Sequence, residues 1–205
     1  NQVGATNIHR ITSENVLLES PAQNASSLTR TTIMTSNSPQ DLTGVVTLRD
    51  RLSGQTIELK EDSVVITEKL AKRLGVGVGD AVRIYAQDRI GNASGEPSTL
   101  IVTGVTENYV GSYLYVGPSV WHSLDIQDQA TDGWYATLPK DQATRDTFGE
   151  KLINQAGVAT IDDINEAICM YKKSLEVVNH VVAILILAAA LLAFIVLYNL
   201  TNINI

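Results

Sequence analysis

The sequence predicts an α+β fold: a strand-rich mixed domain with a β-α-β tail, followed by one long C-terminal helix. Three observations carry that prediction. Short apolar or β-branched runs separated by glycine, serine and asparagine recur between Val16 and Val116, which is strand spacing rather than helix spacing. Strand-like Trp134–Leu138, helix-like Asp141–Asn154 and Val158–Ile161, a strand or connector, then follow as a β-α-β unit. Finally, no proline or glycine interrupts Asp162–Ile205, and within it Val181–Tyr198 carries no charge.

From the start, Asn1–Arg10 is polar and is expected to be a helix end or connector. Val16-Leu17-Leu18 reads as a strand, and Pro21, Asn24, Ser26 and Ser27 as the loop after it. Thr31–Thr35 is β-branched and half apolar, a second strand, broken by Ser36-Asn37-Ser38-Pro39. Val45–Leu48 and Thr56–Leu59 read as strands flanking a turn at Ser53-Gly54. Val64-Val65-Ile66 is a strand that ends at Thr67, an expected N-cap for a helix over Glu68–Leu74, with Gly75 at its C-cap.

The glycines of GVGVGD, at 75, 77 and 79, invite comparison with a phosphate loop. Such a loop lies between a strand and the helix N-terminus, whereas these glycines follow a helix and lead into a strand at Ala81–Tyr85. A helix stop and tight turn is the reading they support.

Asp88–Pro97 is a polar, hairpin-like loop. Leu100-Ile101-Val102 continues as a strand through Gly104-Val105, Tyr113–Val116 is a further short strand or edge, and Pro118-Ser119 opens a short helix bearing Trp121 and Leu124. The last helix carries Ile161, Ile164, Ile168, Leu175 and Val178 at threes, fours and sevens, an amphipathic stripe that gives way to a wholly apolar stretch. At ~1.5 Å per residue that stretch covers about 27 Å, close to the ~30 Å hydrocarbon core of a bilayer. A buried core helix is also apolar all round, but the rest of the chain is too small and polar to wrap one. His180 lies at the entry edge, where a polar ring tip reaches the interface.

Composition narrows the function classes. The chain has 205 residues and a net charge of −7, so it has no electrostatic claim on nucleic acid. Its single cysteine, Cys169, cannot form an internal disulfide and is expected to be a buried thiol. His9, His122 and His180 fall in no metal-ligand frame, and no nucleophile motif is present, so no catalytic, metal or cofactor residue is assigned. Asp162-Asp163 suits a helix start. Trp121, Trp134, Tyr109, Tyr113 and Tyr115 read first as core or rim, and second as a ligand surface. Asn1 at the start and the lack of basic residues after the span carry the expectation of a piece of a longer protein.

Two passages add a resemblance. DSVVITEKLAKRLGVGVGDAVRI (Asp62–Ile84) and VTGVTENYVGSYLYVGPSVW (Val102–Trp121) resemble stretches of the extracytoplasmic domains of FtsX-like and MacB-like ABC transporter permeases. The ending LYNLTNINI is similar to the point where such permeases enter the cytosol. The resemblance makes Gly75, Gly79, Asp80, Glu107, Asn108 and Tyr109 family-signature residues of structural character. It implies an extracytoplasmic α+β domain over residues 1–160, an amphipathic stalk over 161–180, a transmembrane helix over 181–200 and a cytoplasmic start at 201–205. Residues 1–175 would lie outside the cell membrane. The implied partners are a cytoplasmic ABC ATPase, a second permease half and membrane lipid, with no cofactor and no catalytic site of its own. ATP use would move the outer domain through the stalk, a mechanism termed mechanotransmission. The alternative is a membrane-anchored extracellular binding or adhesion module without an ATPase.

Overall fold

The computed structural model describes residues 5–21, 28–126, 130–139 and 141–203. They fall into two compact units, Asn1–Lys140 and Asp141–Ile205. The α+β class and the long C-terminal helix are both present.

In the first unit an eight-stranded mixed sheet is built around β1 (Thr6–Glu19). One edge of β1 pairs with β2 (Thr29–Thr35), while its other edge takes β8 (Thr131–Thr137) along the first half and β4 (Ala81–Gln87) along the second. From Thr6 onward the expected helix end or connector is therefore strand. Its ladder partners arrive more than a hundred residues later, so no local apolar pattern announces them. Asn24, Ser26 and Ser27, the expected loop, lie outside the described residues.

After β2 comes a helix that the local pattern does not reveal, α1 (Pro39–Val45), with proline in its first turn and Leu42 fully buried. Val45–Leu48 is consequently not a strand. Val45 closes α1, and Val46–Leu48 follows without a ladder partner, with Val46 extended and Leu48 buried in the core. Thr56–Leu59 is likewise not a strand: a single antiparallel bridge joins Arg49 and Thr56. The turn between them does form, with Asp50 N donating to Gln55 O at 2.9 Å and Gly54 at φ 69°.

β3 (Val64–Thr67) is buried along its whole length and runs parallel to β6 (Gly104–Thr106) and antiparallel to β7 (Tyr113–Val116). The helix α2 (Glu68–Leu74) ends on Gly75 in the left-handed region, as expected. Thr67, however, does not cap it with its side chain. Its hydroxyl accepts instead from Tyr113 N at 3.2 Å, tying β7 to the end of β3.

The β4–β5 hairpin turns over only Asp88–Asn92, where Asp88 Oδ1 accepts from the Ile90 and Asn92 amides. β5 (Ala93–Ile101) begins sooner than its polar composition suggests, and as an edge strand it tolerates Pro97. β5 and β6 are separate because the chain changes partner between them: Val102 N donates to Asp80 O, and Thr103 N to Val64 O. β7 is not an edge but an interior strand between β2 and β3. The short helix α3 (Pro118–Ser123) follows, with Trp121 buried.

Two apolar layers cover the two faces of this sheet, following the two-residue alternation of the strands. Leu18, Ile33, Ile66 and Leu114 meet Leu70 and Leu74 of α2 and Trp121 of α3 on one face. Ile11, Leu42, Leu48, Leu59, Val65 and Tyr115 fill the other.

The second unit holds α4 (Gln142–Ile153) and α5 (Ile164–Ile203). Asp141 caps α4, its side chain accepting from Thr144 N at 2.9 Å. Val158–Ile161 is a connector, so the tail reads strand, helix, helix rather than β-α-β. Asp163 starts α5, its Oδ1 accepting from Asn165 N at 2.8 Å. Along its 40 residues α5 is continuous, about 60 Å long. Cys169 is exposed on this helix, not buried: on the helix surface around it there is no core to receive the thiol.

Candidate functional site

The C-terminal end of β6 and the hairpin carrying Arg49 meet to form a cleft of about 410 Å³, lined by Val46, Thr47, Arg49, Thr106, Glu107, Asn108, Tyr109 and Tyr115. Three hydrogen bonds to the Arg49 backbone fix this junction first. Thr106 Oγ1 accepts from Arg49 N at 2.9 Å and donates to Arg49 O at 3.1 Å, and Glu107 N donates to the same carbonyl at 2.8 Å.

Those bonds place the Arg49 side chain beside Glu107. Nε donates to Glu107 Oε1 at 2.6 Å, and Nη2 bonds the same oxygen. The Glu107 side chain is only 13% exposed, whereas that of Arg49 is 50% exposed. The hydroxyl of Tyr109 donates to Glu107 Oε2 at 3.3 Å. Asn108 turns the loop, with Oδ1 accepting from Val110 N at 3.0 Å, and Gly111 follows at φ 84°. Behind the loop Tyr115 is buried. Its phenol is pushed up to about 12, by burial first and by neighbouring Tyr113 next, against a lowering hydrogen bond from Asn108, so it stays neutral at physiological pH.

A second charged cluster lies nearby on the hairpin and α2. Arg51 Nε donates to Glu68 Oε2 at 2.8 Å and its Nη2 to Oε1 at 3.0 Å, while Lys72 Nζ lies 2.9 Å from Oε1. These hydrogen bonds, that of Arg51 first, draw Glu68 down to about 2. Asp50 is engaged in its own turn, accepting from the Leu52 and Ser53 amides.

The six signature residues thus divide between two places. Glu107, Asn108 and Tyr109 line the cleft after β6. Gly75, Gly79 and Asp80 lie on the far side, before β6: Gly79, at φ 92°, donates its amide to Val102 O at 2.8 Å, and Asp80 Oδ2 accepts from Gly77 N at 2.7 Å. That is the helix stop and tight turn expected of GVGVGD. Of the aromatics, Trp121 and Tyr115 are core, while Trp134 and Tyr109 are strongly exposed.

The sequence gives no hint of Arg49, Thr106, Val46 or Thr47 as cleft residues. Arg49 and Glu107 are 58 positions apart, and only the pairing of the hairpin with the end of β6 joins them. Of the histidines, His9 Nδ1 lies 2.9 Å from Asp41 Oδ1 and ties α1 to β1, and His180 Nδ1 lies 2.7 Å from the Glu176 carbonyl one turn earlier. No group of three or more metal-ligating side chains occurs among the described residues.

Within α5, Ile168–Asn202 is long and apolar enough to cross a membrane, and its most apolar 18-residue window has a mean hydropathy of 3.1. Similar solved structures exist. The chain is similar to the extracellular domain of the noncanonic ABC-type transporter YknZ from Gram-positive bacteria, at 17% identity and TM-score 0.43, covering 71% of each chain. It is also similar to a domain of a protein described as a permease from Porphyromonas gingivalis, at 17% identity and TM-score 0.40, over 73% of this chain and 62% of that one. A third is the periplasmic region of MacB from Actinobacillus actinomycetemcomitans, at 15% identity and TM-score 0.37, over 70% and 65%. No family model and no curated protein matches the chain.

Proposed function

We propose that the chain is the extracytoplasmic domain and following membrane helix of an FtsX-like or MacB-like ABC transporter permease, coupled to a cytoplasmic ATPase. The observation that carries this reading is α5: one unbroken helix whose polar first turns pass directly into an apolar stretch of bilayer length. A continuous hydrogen-bonded rod resists bending and can pass displacement across an interface. The resemblance of Asp62–Ile84 and Val102–Trp121 supplies the family. In this reading the chain hydrolyses nothing itself, and a second permease half and the ATPase complete the assembly.

The test is to purify the full-length parent protein and ask whether an ATPase copurifies with it and changes its turnover in the complex. A stable complex with altered turnover is expected. An isolated parent with no ATPase moves the assignment to the anchored binding module, the reading favoured by the cleft and by the exposed Tyr109.

A further inference from the structure

The cleft after β6 presents charge of one sign only. Glu107 is withdrawn, with Oε1 taken by Arg49 and Oε2 by the Tyr109 hydroxyl. Arg49 is half exposed, and its Nη1 has no partner among the described residues. The other polar groups of the cleft are largely engaged: Thr106 Oγ1 with the Arg49 backbone and Asn108 Oδ1 with Val110 N. What faces the cavity with unused capacity is therefore a guanidinium held in place by a carboxylate behind it. A donor fork fixed in this way matches a planar acceptor.

The charge balance narrows the acceptor further. Arg49 and Glu107 together are neutral, so a monoanion adds one negative charge beside Glu107 and a dianionic phosphate adds two. The lining holds no second cation to offset the latter. Val46 and the ring of Tyr109 give the cavity an apolar wall, and its volume of about 410 Å³ falls within the range of small-ligand pockets, ~300–1,000 Å³.

We propose that this cleft binds a carboxylate joined to an apolar or aromatic body, with Arg49 touching the carboxylate, Glu107 positioning Arg49, and Tyr109 walling the apolar part. The carboxylate belongs either to a small organic acid or to an acidic side chain of a polypeptide. The inference stands on the cleft alone and does not depend on an ATPase.

Calorimetric titration of the full chain in detergent micelles tests it with two matched pairs of probes. One pair is N-acetyl-phenylalanine and its amide; the other is the capped peptide acetyl-Ala-Glu-Phe-Ala-amide and its glutamine counterpart. In at least one pair the acid is expected to bind about tenfold tighter than its neutral partner. Binding in the first pair only assigns a small acid, and in the second only an acidic side chain. Arg49→Gln should erase the preference and Arg49→Lys should retain part of it, whereas Tyr109→Ala should weaken acid and neutral probe alike. Glu107→Asp, which keeps the charge but draws the carboxylate away from Arg49, should reduce the preference, with an unchanged circular dichroism spectrum. Equal binding of acid and neutral probe in both pairs overturns the proposal, as does a preference that survives in a folded Arg49→Gln protein.

Discussion

A single carbon added at Gly117 has nowhere to go. The residue has φ −70° and ψ 157°, a conformation open to any amino acid, so space and not backbone freedom explains the glycine. A Cβ there would overlap the carbonyl groups of Lys60 and Glu61, which are backbone atoms and cannot swing aside. Gly79 is the converse: nothing lies within 4 Å of its missing Cβ, but its φ of 92° strains any other residue. Gly117→Ala should therefore destabilise the first unit by about 2–3 kcal/mol and Gly79→Ala by about 1 kcal/mol, read by thermal or denaturant unfolding. The reverse order would refute the packing argument. Glu68 gives a second prediction at this scale. Its folded pKa of about 2 lies below the reference of 4.5, so its contribution is complete above about 4.5 and is lost as pH falls toward 2. Glu68→Gln should flatten that acid limb in melts taken across the window, and an unchanged limb would mean that Arg51 and Lys72 do not hold the carboxylate in solution. Glycine turns such as Gly75 and Gly79 were legible from sequence because their chemistry is local. Arg49 with Glu107 was not, because nothing within either segment names the other.

Among the elements, legibility followed how much of each is decided by its own residues. Alternating Thr31–Thr35, the continuous run at Val64–Ile66 and the helix that stops at Gly75 are all present as read. Two of the failures share one cause. Thr6–Arg10 is strand because β8 pairs with it, and Val46–Leu48 beyond α1 is not strand because it gains no ladder partner, although Leu48 is buried in the core. Both outcomes are set by partners distant in the chain, which local propensity does not weigh. α5 lies at the opposite limit, since an apolar run with no breaker determines its own helix. That continuity is open to test at Leu175, which precedes the apolar stretch. Proline there deletes one backbone donor and clashes with the preceding turn, at a cost of about 3 kcal/mol within the helix. On the proposed reading, Leu175→Pro in the full-length protein should leave the circular dichroism and melting of the first unit intact while abolishing the link between the partner's ATPase turnover and transport. Leu175→Ala, which keeps the helix, should preserve it. Normal coupling in the proline variant would count against a rod that transmits motion.

For the whole molecule the decisive quantity is which side of the membrane the first unit occupies. The chain carries its own probe, because Cys169 is its single cysteine and its thiol is exposed. It lies twelve positions before Val181, about 18 Å along the helix axis from the start of the apolar stretch. A water-soluble reagent can therefore reach it without entering the bilayer. If residues 1–175 are extracytoplasmic, a membrane-impermeant maleimide added to intact cells should label Cys169 fully, and permeabilising the cells should add nothing. Cys169→Ser removes the signal and checks that it comes from this site. Labelling that appears only after permeabilisation would put the sheet, the cleft and the stalk in the cytosol. The helix would then enter the membrane from the ATPase side, and no displacement of α5 could carry ATP-driven motion outward to this domain.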